Sequence, residues 1–217
     1  MNVVAVPVKD LVNAKQRLVR ALSPSERMAL ARAMLHDVLR ALVATPLDAR
    51  WLVTRDPEVT ATARDYGVEV ISEAANRGHT AAVAAAQTAA VSAGARVFAT
   101  IPGDVPCVTA GEIRALVTRV GAEGQAVAFA PSHSGLGTNG AALSPPGAMP
   151  LTFGEPSFDN HLRAARERGL VAHVLTLPGL GLDVDGPADL HLLLARGAAT
   201  ESGRLLARFR IAERLAV

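Results

Sequence analysis

Cysteine is nearly absent: Cys107 is the only one in 217 residues. A lone thiol excludes an internal disulfide and a cysteine-based zinc site, and it fits a reducing cytoplasm. Aromatic residues are scarce, at 3%, and the formal net charge is only +2. There is no basic run and no face that interleaves arginines with rings, so nucleic acid is not an expected partner. No uncharged apolar span is long enough to cross a bilayer or to form a signal-peptide core, so no membrane partner is expected either. Lysine is the most informative shortage. The chain has Lys9 and Lys15, both in its first loop, and every other basic residue is Arg or His.

What the chain does have is aliphatic bulk. Half its residues are hydrophobic, mostly Ala, Val and Leu, which predicts helices packed closely on a sheet through small side chains. The length suits one core. A single domain is expected over 1–217, with 197–217 as a C-terminal helical extension. Asn2 to Val8 reads as a strand, followed by a loop from Lys9 to Lys15 and a helical turn to about Leu22. Ser23-Pro24-Ser25-Glu26 is a capping box with Pro at the first helical position, opening a helix to about Ala44.

Strands follow at Arg50–Thr54, Val68–Ile71, Val97–Ile101 and Gln125–Ala130. The helices between them are capped at Asp56-Pro57, run from Gly78 to Ala93, and open at a second capping box, Thr109 with Glu112. Alternation with short links predicts an α/β three-layer sandwich with a mostly parallel sheet. After residue 131 the rhythm breaks. Pro131 to Gly154 is rich in Gly, Ser and Pro around the apolar run Gly140 to Leu143, which reads as a substrate-side loop with a small inserted β-hairpin. Ser157 reads as the N-cap of a helix ending at Gly169. A strand at Val171–Leu177, a loop to Gly186 and a helix from Pro187 come next. The tail, Glu201 to Val217, reads as an amphipathic helix that packs on the domain or in a homodimer.

Candidate chemistry centres on Arg96 to Pro106. An apolar strand stops at Pro102-Gly103, and Asp104 follows. In an open parallel sheet, ligands gather outside the carboxyl ends of the strands. An acid there suits a divalent cation over a nucleotide's phosphates, although Pro-Gly-Asp also suits a plain turn. Asp183 and Asp185, bracketed by glycines, can face one cation if the backbone is extended. The competing reading is that Asp185 only caps the helix at Pro187. In the first loop, Lys15 and Arg17 follow a strand and precede a helical turn, an arrangement that suits an anion; no P-loop spacing is present. Gly135 to Gly140 matches G-x-G-x-x-G, but no helix can open there and no acid follows about 20 residues on, so a dinucleotide site is rejected. What remains is an amide-lined cradle with Thr138, or a plain loop. His36, His79, His133, His173 and His191 are scattered, not at metal-ligand spacing, and read as structural or surface residues.

Taken together, VPVKDLVNAKQRL, Leu22-Ser23-Pro24 with Arg27, IPGDVP, GLGTNGAALSPP, FGEPSF and GLGLDVDGPADL resemble the 2-phospho-L-lactate guanylyltransferase family of coenzyme F420 biosynthesis. That family has phosphoenolpyruvate and 3-phosphoglycerate guanylyltransferase relatives. The resemblance runs to about residue 196. It implies a nucleotidyltransferase fold like that of molybdenum-cofactor guanylyltransferases. It implies one or two Mg²⁺ ions held by Asp104, Asp183 and Asp185, with Lys15 beside them. GTP would lie against Val6, Lys9, Lys15, Gly78, Thr80 and Gly103, and the phosphorylated acid would sit near Thr138, Gly154 and Ser157. The implied reaction is attack of the acid's phosphate on the α-phosphorus of GTP, with loss of pyrophosphate. Relatives often carry Gly-Leu-Asn where this chain has Gly78-His79-Thr80. A molybdopterin nucleotidyltransferase, a nucleotide-sugar glycosyltransferase and a nucleotide-sensing module are the alternatives.

Overall fold

The structure is a computed structural model that describes residues 1–72, 77–121 and 124–215. Its first strand, β1 (Asn2–Pro7), lies inside the sheet. The others are β2 (Ala49–Thr54), β3 (Glu69–Ser72), β4 (Val97–Thr100), β5 (Ala126–Pro131), β6 (Thr138–Ser144) and β7 (Val171–Val174). They form one sheet in the order β3-β2-β1-β4-β6-β5-β7. Every pairing is parallel except those of β6, which runs antiparallel to both β4 and β5.

Both faces are covered by helices, which is why β1 and β4 read as continuous apolar runs. Val4 and Val6 face α1 (Pro24–Ala44), α2 (Pro57–Asp65) and α4 (Ala110–Gly121) in a core with Leu35, Leu39, Ile101 and Leu116. Val3 and Ala5, one residue out of phase, face α3 (His79–Ser92) and α5 (Ser157–Glu167) with Trp51, Val83, Phe98 and Phe129. A third cluster, with Leu18, Met34, Val184, Leu190 and Leu206, joins the first loop and α1 to α6 (Pro187–Arg196), α7 (Glu201–Arg208) and α8 (Ile211–Leu215).

Local chemistry sets the helix starts as the sequence predicts. Ser23 Oγ accepts from Glu26 N at 3.3 Å, and the Glu26 carboxylate accepts from Ser23 N at 2.8 Å. Thr109 and Glu112 exchange the same pair of bonds at 2.9 and 3.2 Å, and Asp56 accepts from Glu58 N and Val59 N.

Three expectations change. The inserted hairpin is β5–β6, and its second strand is no appendage, because β6 lies fully buried between β4 and β5. Its small residues allow this: a Cβ at Gly140 would lie 2.8 Å from Leu180 Cδ2 and 3.0 Å from Leu116 Cδ2. Ser157 is not an N-cap. Pro156, whose ring carries no acceptor, holds that position, and Ser157 Oγ accepts from Thr138 N at 3.0 Å. The tail is two helices, broken at Arg210, which has φ +54°. Residues 216 and 217 of the expected tail lie outside the described residues. The apolar side of α7 and α8 is spent on the third cluster, so it gives no reason to expect a homodimer. Among the described residues no helix is long and apolar enough to cross a membrane.

Candidate active site

The carboxyl ends of β1 and β4 open onto one edge of the sheet, and the first loop folds over them. A cleft of about 560 Å³ lies there. Lys9, Lys15, Arg17, His79, Gly103, Asp104 and Asp185 line it over a floor of Ala31, Met34 and Leu35. Gly103 lets the two strand-end loops meet, since a Cβ there would lie 2.9 Å from Val8 Cγ2. The first loop is pinned at both ends. Leu11 and Leu18 are buried, and Leu11 N donates to the Asp56 carboxylate at 3.0 Å. Two short 3-10 turns, Leu11–Asn13 and Gln16–Leu18, flank Lys15.

Lys15 adopts φ 56°, ψ 44°. That left-handed conformation is unusual for a residue with a side chain and persists only where surrounding structure imposes it. Its side chain, 7% exposed, reaches inward to two carboxylates far apart in the chain. The ammonium lies 2.5 Å from Asp104 Oδ2 and 2.9 Å from Asp185 Oδ1. Burial pulls the Lys15 ammonium down, but the charges of Asp104 and Asp185 outweigh it and hold the group above the ordinary lysine value. The lysine is therefore a permanent cation between two acids.

Asp185 is free for this contact because α6 is capped by another residue. Asp189 reaches back to accept from Asp185 N at 2.9 Å and Gly186 N at 2.7 Å, so the reading of Asp185 as a mere cap fails. Burial raises the Asp185 carboxyl, yet Lys15 and then Arg17 bring it below the usual range. Asp183 goes the other way. Burial raises it, the Asn139 hydrogen bond opposes, and the neighbouring charges of Asp104 and Asp185 add to the rise. Asn139 Nδ2 donates to Asp183 Oδ1 at 2.9 Å and to the carbonyls of Leu180 and Gly181 at 3.1 Å. Val184 N donates to the Asp104 carbonyl at 3.2 Å, tying the two acidic loops together. Among the described residues, no three of His, Cys, Asp and Glu gather closely enough to hold a metal ion. What gathers is two carboxylates on an ammonium, with a third carboxylate alongside.

The expected acceptor residues form a second group. Thr138 opens β6, Ser157 opens α5, and Phe158 N donates to the Leu136 carbonyl at 3.1 Å. Gly154, exposed and at φ +117°, lies beside them in sequence. Thr80 does not line the cleft. Its hydroxyl accepts from Phe153 N at 3.0 Å, joining the start of α3 to the Phe153–Gly154 segment. Val6 is fully buried in the core, and Pro7 and Val8, next along the chain, line the cleft instead. Gly78, at φ +94°, precedes α3.

Three histidines were missed by sequence reasoning. His79 lines the cleft, and its imidazole is lowered by burial while the Asp104 charge opposes and Lys9 adds to the fall. His133 Nε2 lies 3.1 Å from Asp189 Oδ1, and its Nδ1 lies 3.6 Å from Asp183 Oδ1. His161 is bonded to Thr138. Single histidines carry no spacing signal; only the Gly78-His79-Thr80 departure hinted at one of them.

The fold is one that nucleotidyltransferases share, and relatives over most of the chain are guanylyltransferases, so its class is nucleotidyltransferase. More narrowly, residues 1–215 match the family described as "Guanylyl transferase CofC like", and the chain belongs to that family. It is 39% identical over 204 residues to the phosphoenolpyruvate guanylyltransferase of Roseiflexus sp. (strain RS-1), covering 94% of this chain and 90% of the relative. It is 35% identical over 205 residues to the 2-phospho-L-lactate guanylyltransferase of Methanothermobacter thermautotrophicus, covering 94% and 89%. The fold resembles that of a putative nucleotide-diphospho-sugar transferase from Desulfovibrio desulfuricans G20, with a TM-score of 0.80, 14% identity and 99% of both chains covered. It also resembles Rv0371C from Mycobacterium tuberculosis H37Rv in complex with manganese, with a TM-score of 0.53, 18% identity, and 90% and 99% covered.

Proposed function

We propose that this chain transfers GMP from GTP to a small phosphorylated three-carbon acid and releases pyrophosphate, as a step in coenzyme F420 biosynthesis. The observation that carries this reading is the Lys15 ammonium held between Asp104 and Asp185 at 2.5 and 2.9 Å in the mouth of the cleft. The relatives' acceptors, phosphoenolpyruvate and 2-phospho-L-lactate, are such acids. Lys9, Lys15 and Arg17 present positive charge to a triphosphate, and Thr138, Gly154 and Ser157 hold the acid.

The chemistry of the donors suits a hard divalent cation, although with no three-residue ligand cluster among the described residues the nucleotide's phosphate oxygens would have to complete its shell. Two carboxylate oxygens already converge on one positive centre, and oxygen ligands suit Mg²⁺ or Mn²⁺. Asp104 and Asp185, with Asp183 beside them, would hold Mg²⁺. When bound, the ion supplies charge neutralisation at the reacting phosphates. The chain's own residues do the rest. Lys15, drawn between its carboxylates and an arriving phosphate, screens the approach of two anions and stabilises charge at the α-phosphate. The acceptor's phosphate monoester has a second pKa near ~6, so its oxygen is already ionised at neutral pH and no general base is required. The two groups of residues place donor and acceptor for in-line attack.

The test is pyrophosphate release from GTP and Mg²⁺ with phosphoenolpyruvate, 2-phospho-L-lactate and 3-phosphoglycerate supplied separately. Release that depends on one acid, and falls about 100-fold or more in Lys15→Ala, is expected. GTP consumption that ignores all three acids contradicts the reading.

A further inference from the structure

His161 is 2% exposed and lies among groups without charge. Its ring stacks on Phe129, with centroids 5.1 Å apart at 10°, and meets Phe153 edge-on at 5.2 Å. Both ring nitrogens are committed. Thr152 N donates to Nε2 at 3.1 Å, so Nε2 must carry a lone pair. A neutral imidazole has one proton, which then sits on Nδ1. Burial favours that neutral form by lowering the group to about 4. Nδ1 lies 3.0 Å from Thr138 Oγ1 and therefore donates to it. Ser157 Oγ accepts from Thr138 N at 3.0 Å and donates to Thr138 Oγ1 at 3.4 Å.

The Thr138 hydroxyl thus accepts twice, and among the described residues none takes its proton. We propose that His161 is a positioning residue: by donating from Nδ1 it forces the Thr138 hydroxyl to donate in turn, to an anionic oxygen of the bound acid. The same ring holds the Thr152–Gly154 segment through Nε2. This rests on the acceptor reading given above. It adds that the hydroxyl's proton direction, rather than its presence alone, sets affinity for the acid.

Two substitutions separate the ring's two bonds. In His161→Asn the side-chain amide can take the place of Nδ1–H and keep Thr138 supplied with a donor. In His161→Gln the longer side chain can reach the Nε2 position, keep the Thr152 N–H contact and lose the donor to Thr138. Steady-state kinetics would vary the acid and GTP independently, with melting temperatures as the control for packing. Losing a hydrogen bond to a charged partner costs about 10-fold or more in affinity. The expected result is a rise of that size in the acid's KM for His161→Gln, an acid KM near wild type for His161→Asn, and unchanged GTP KM in both, with both proteins losing thermal stability. Equal acid KM values in the two variants, or changes confined to kcat, overturn the proposal. If wild-type protein releases pyrophosphate with none of the acids, the functional reading itself has failed. An active wild type whose variants keep its acid KM sinks only the role of His161.

Discussion

At the residue scale, the site is a set of charges and protons held where water would not leave them. Lys15 survives burial because two carboxylates outweigh its desolvation, at a backbone angle that few side chains adopt. That Asp104, Asp183 and Asp185 come near one another was legible in the sequence, because acids at strand ends and between glycines are rarely needed by packing. The lysine lock between two of them was not legible, since residues 15, 104 and 185 meet only once the sheet has formed. His161 was illegible for a related reason: its partners come from β6 and the Thr152 segment, not from its own helix. Its burial has a consequence for stability. The folded-state value is about 4, below the ~6.5 of an exposed imidazole. Between those values the unfolded chain binds the extra proton, so His161 costs nothing above about pH 6.5 and takes stability away as pH falls toward 4. The full loss is of order 3 kcal/mol. The melting temperature of wild type should therefore fall more steeply between pH 6.5 and 4 than that of His161→Asn. Parallel slopes contradict a buried neutral imidazole.

At the element scale, the helix starts were the most legible features, because a cap involves only three or four consecutive residues. The capping boxes at Ser23 and Thr109 and the Asp56 cap form as their sequences predict. Where a cap was misread, a distant partner had won. Ser157 Oγ goes to Thr138 N, and the Asp185 carboxylate goes to Lys15 of the first loop, while Asp189 accepts from the Asp185 and Gly186 amides. The tail shows the same rule. Thr200 caps α7 locally, but Asp37 of α1 also accepts from Glu201 N at 2.8 Å, Ser202 N at 2.9 Å and Ser202 Oγ at 2.7 Å. Asp37 is 8% exposed. Asp37→Ala removes the shared acceptor of Glu201 N, Ser202 N and Ser202 Oγ, and of Arg40 Nη1 at 3.3 Å, and should destabilise the protein by about 2–4 kcal/mol. Denaturant titration reads this directly; a change below about 0.5 kcal/mol, the size usual at an unremarkable surface position, shows that the Asp37 bonds do not hold the tail.

At the scale of the whole molecule, topology turns scattered residues into a site. The alternation of strand and helix up to residue 131 announced the parallel half of the sheet, because each βα unit is local. The place of β6 was not announced. The apolar run Gly140 to Leu143 reads as part of a small hairpin, but its antiparallel pairing with both β4 and β5 inside the sheet has no local signal. That pairing brings Thr138 and Asn139 to the edge where β4 delivers Asp104. It lets Asn139 hold Asp183 at 2.9 Å while Thr138 faces α5. One inserted strand thus touches both the acid-bearing loops and the Thr138–Ser157 group proposed to hold the acid.

The most direct measurement is the identity of the product. Protein, GTP, Mg²⁺ and the accepted acid are incubated, and the mixture is resolved by mass spectrometry, for wild type and for Asp183→Asn. The expected wild-type product is GMP joined to the acid through a diphosphate, with pyrophosphate in equal amount. In Asp183→Asn it should fall by about 100-fold or more while the fold, read by circular dichroism, persists. GDP and inorganic phosphate as the products, or the diphosphate formed at a near-normal rate by Asp183→Asn, would contradict the assignment.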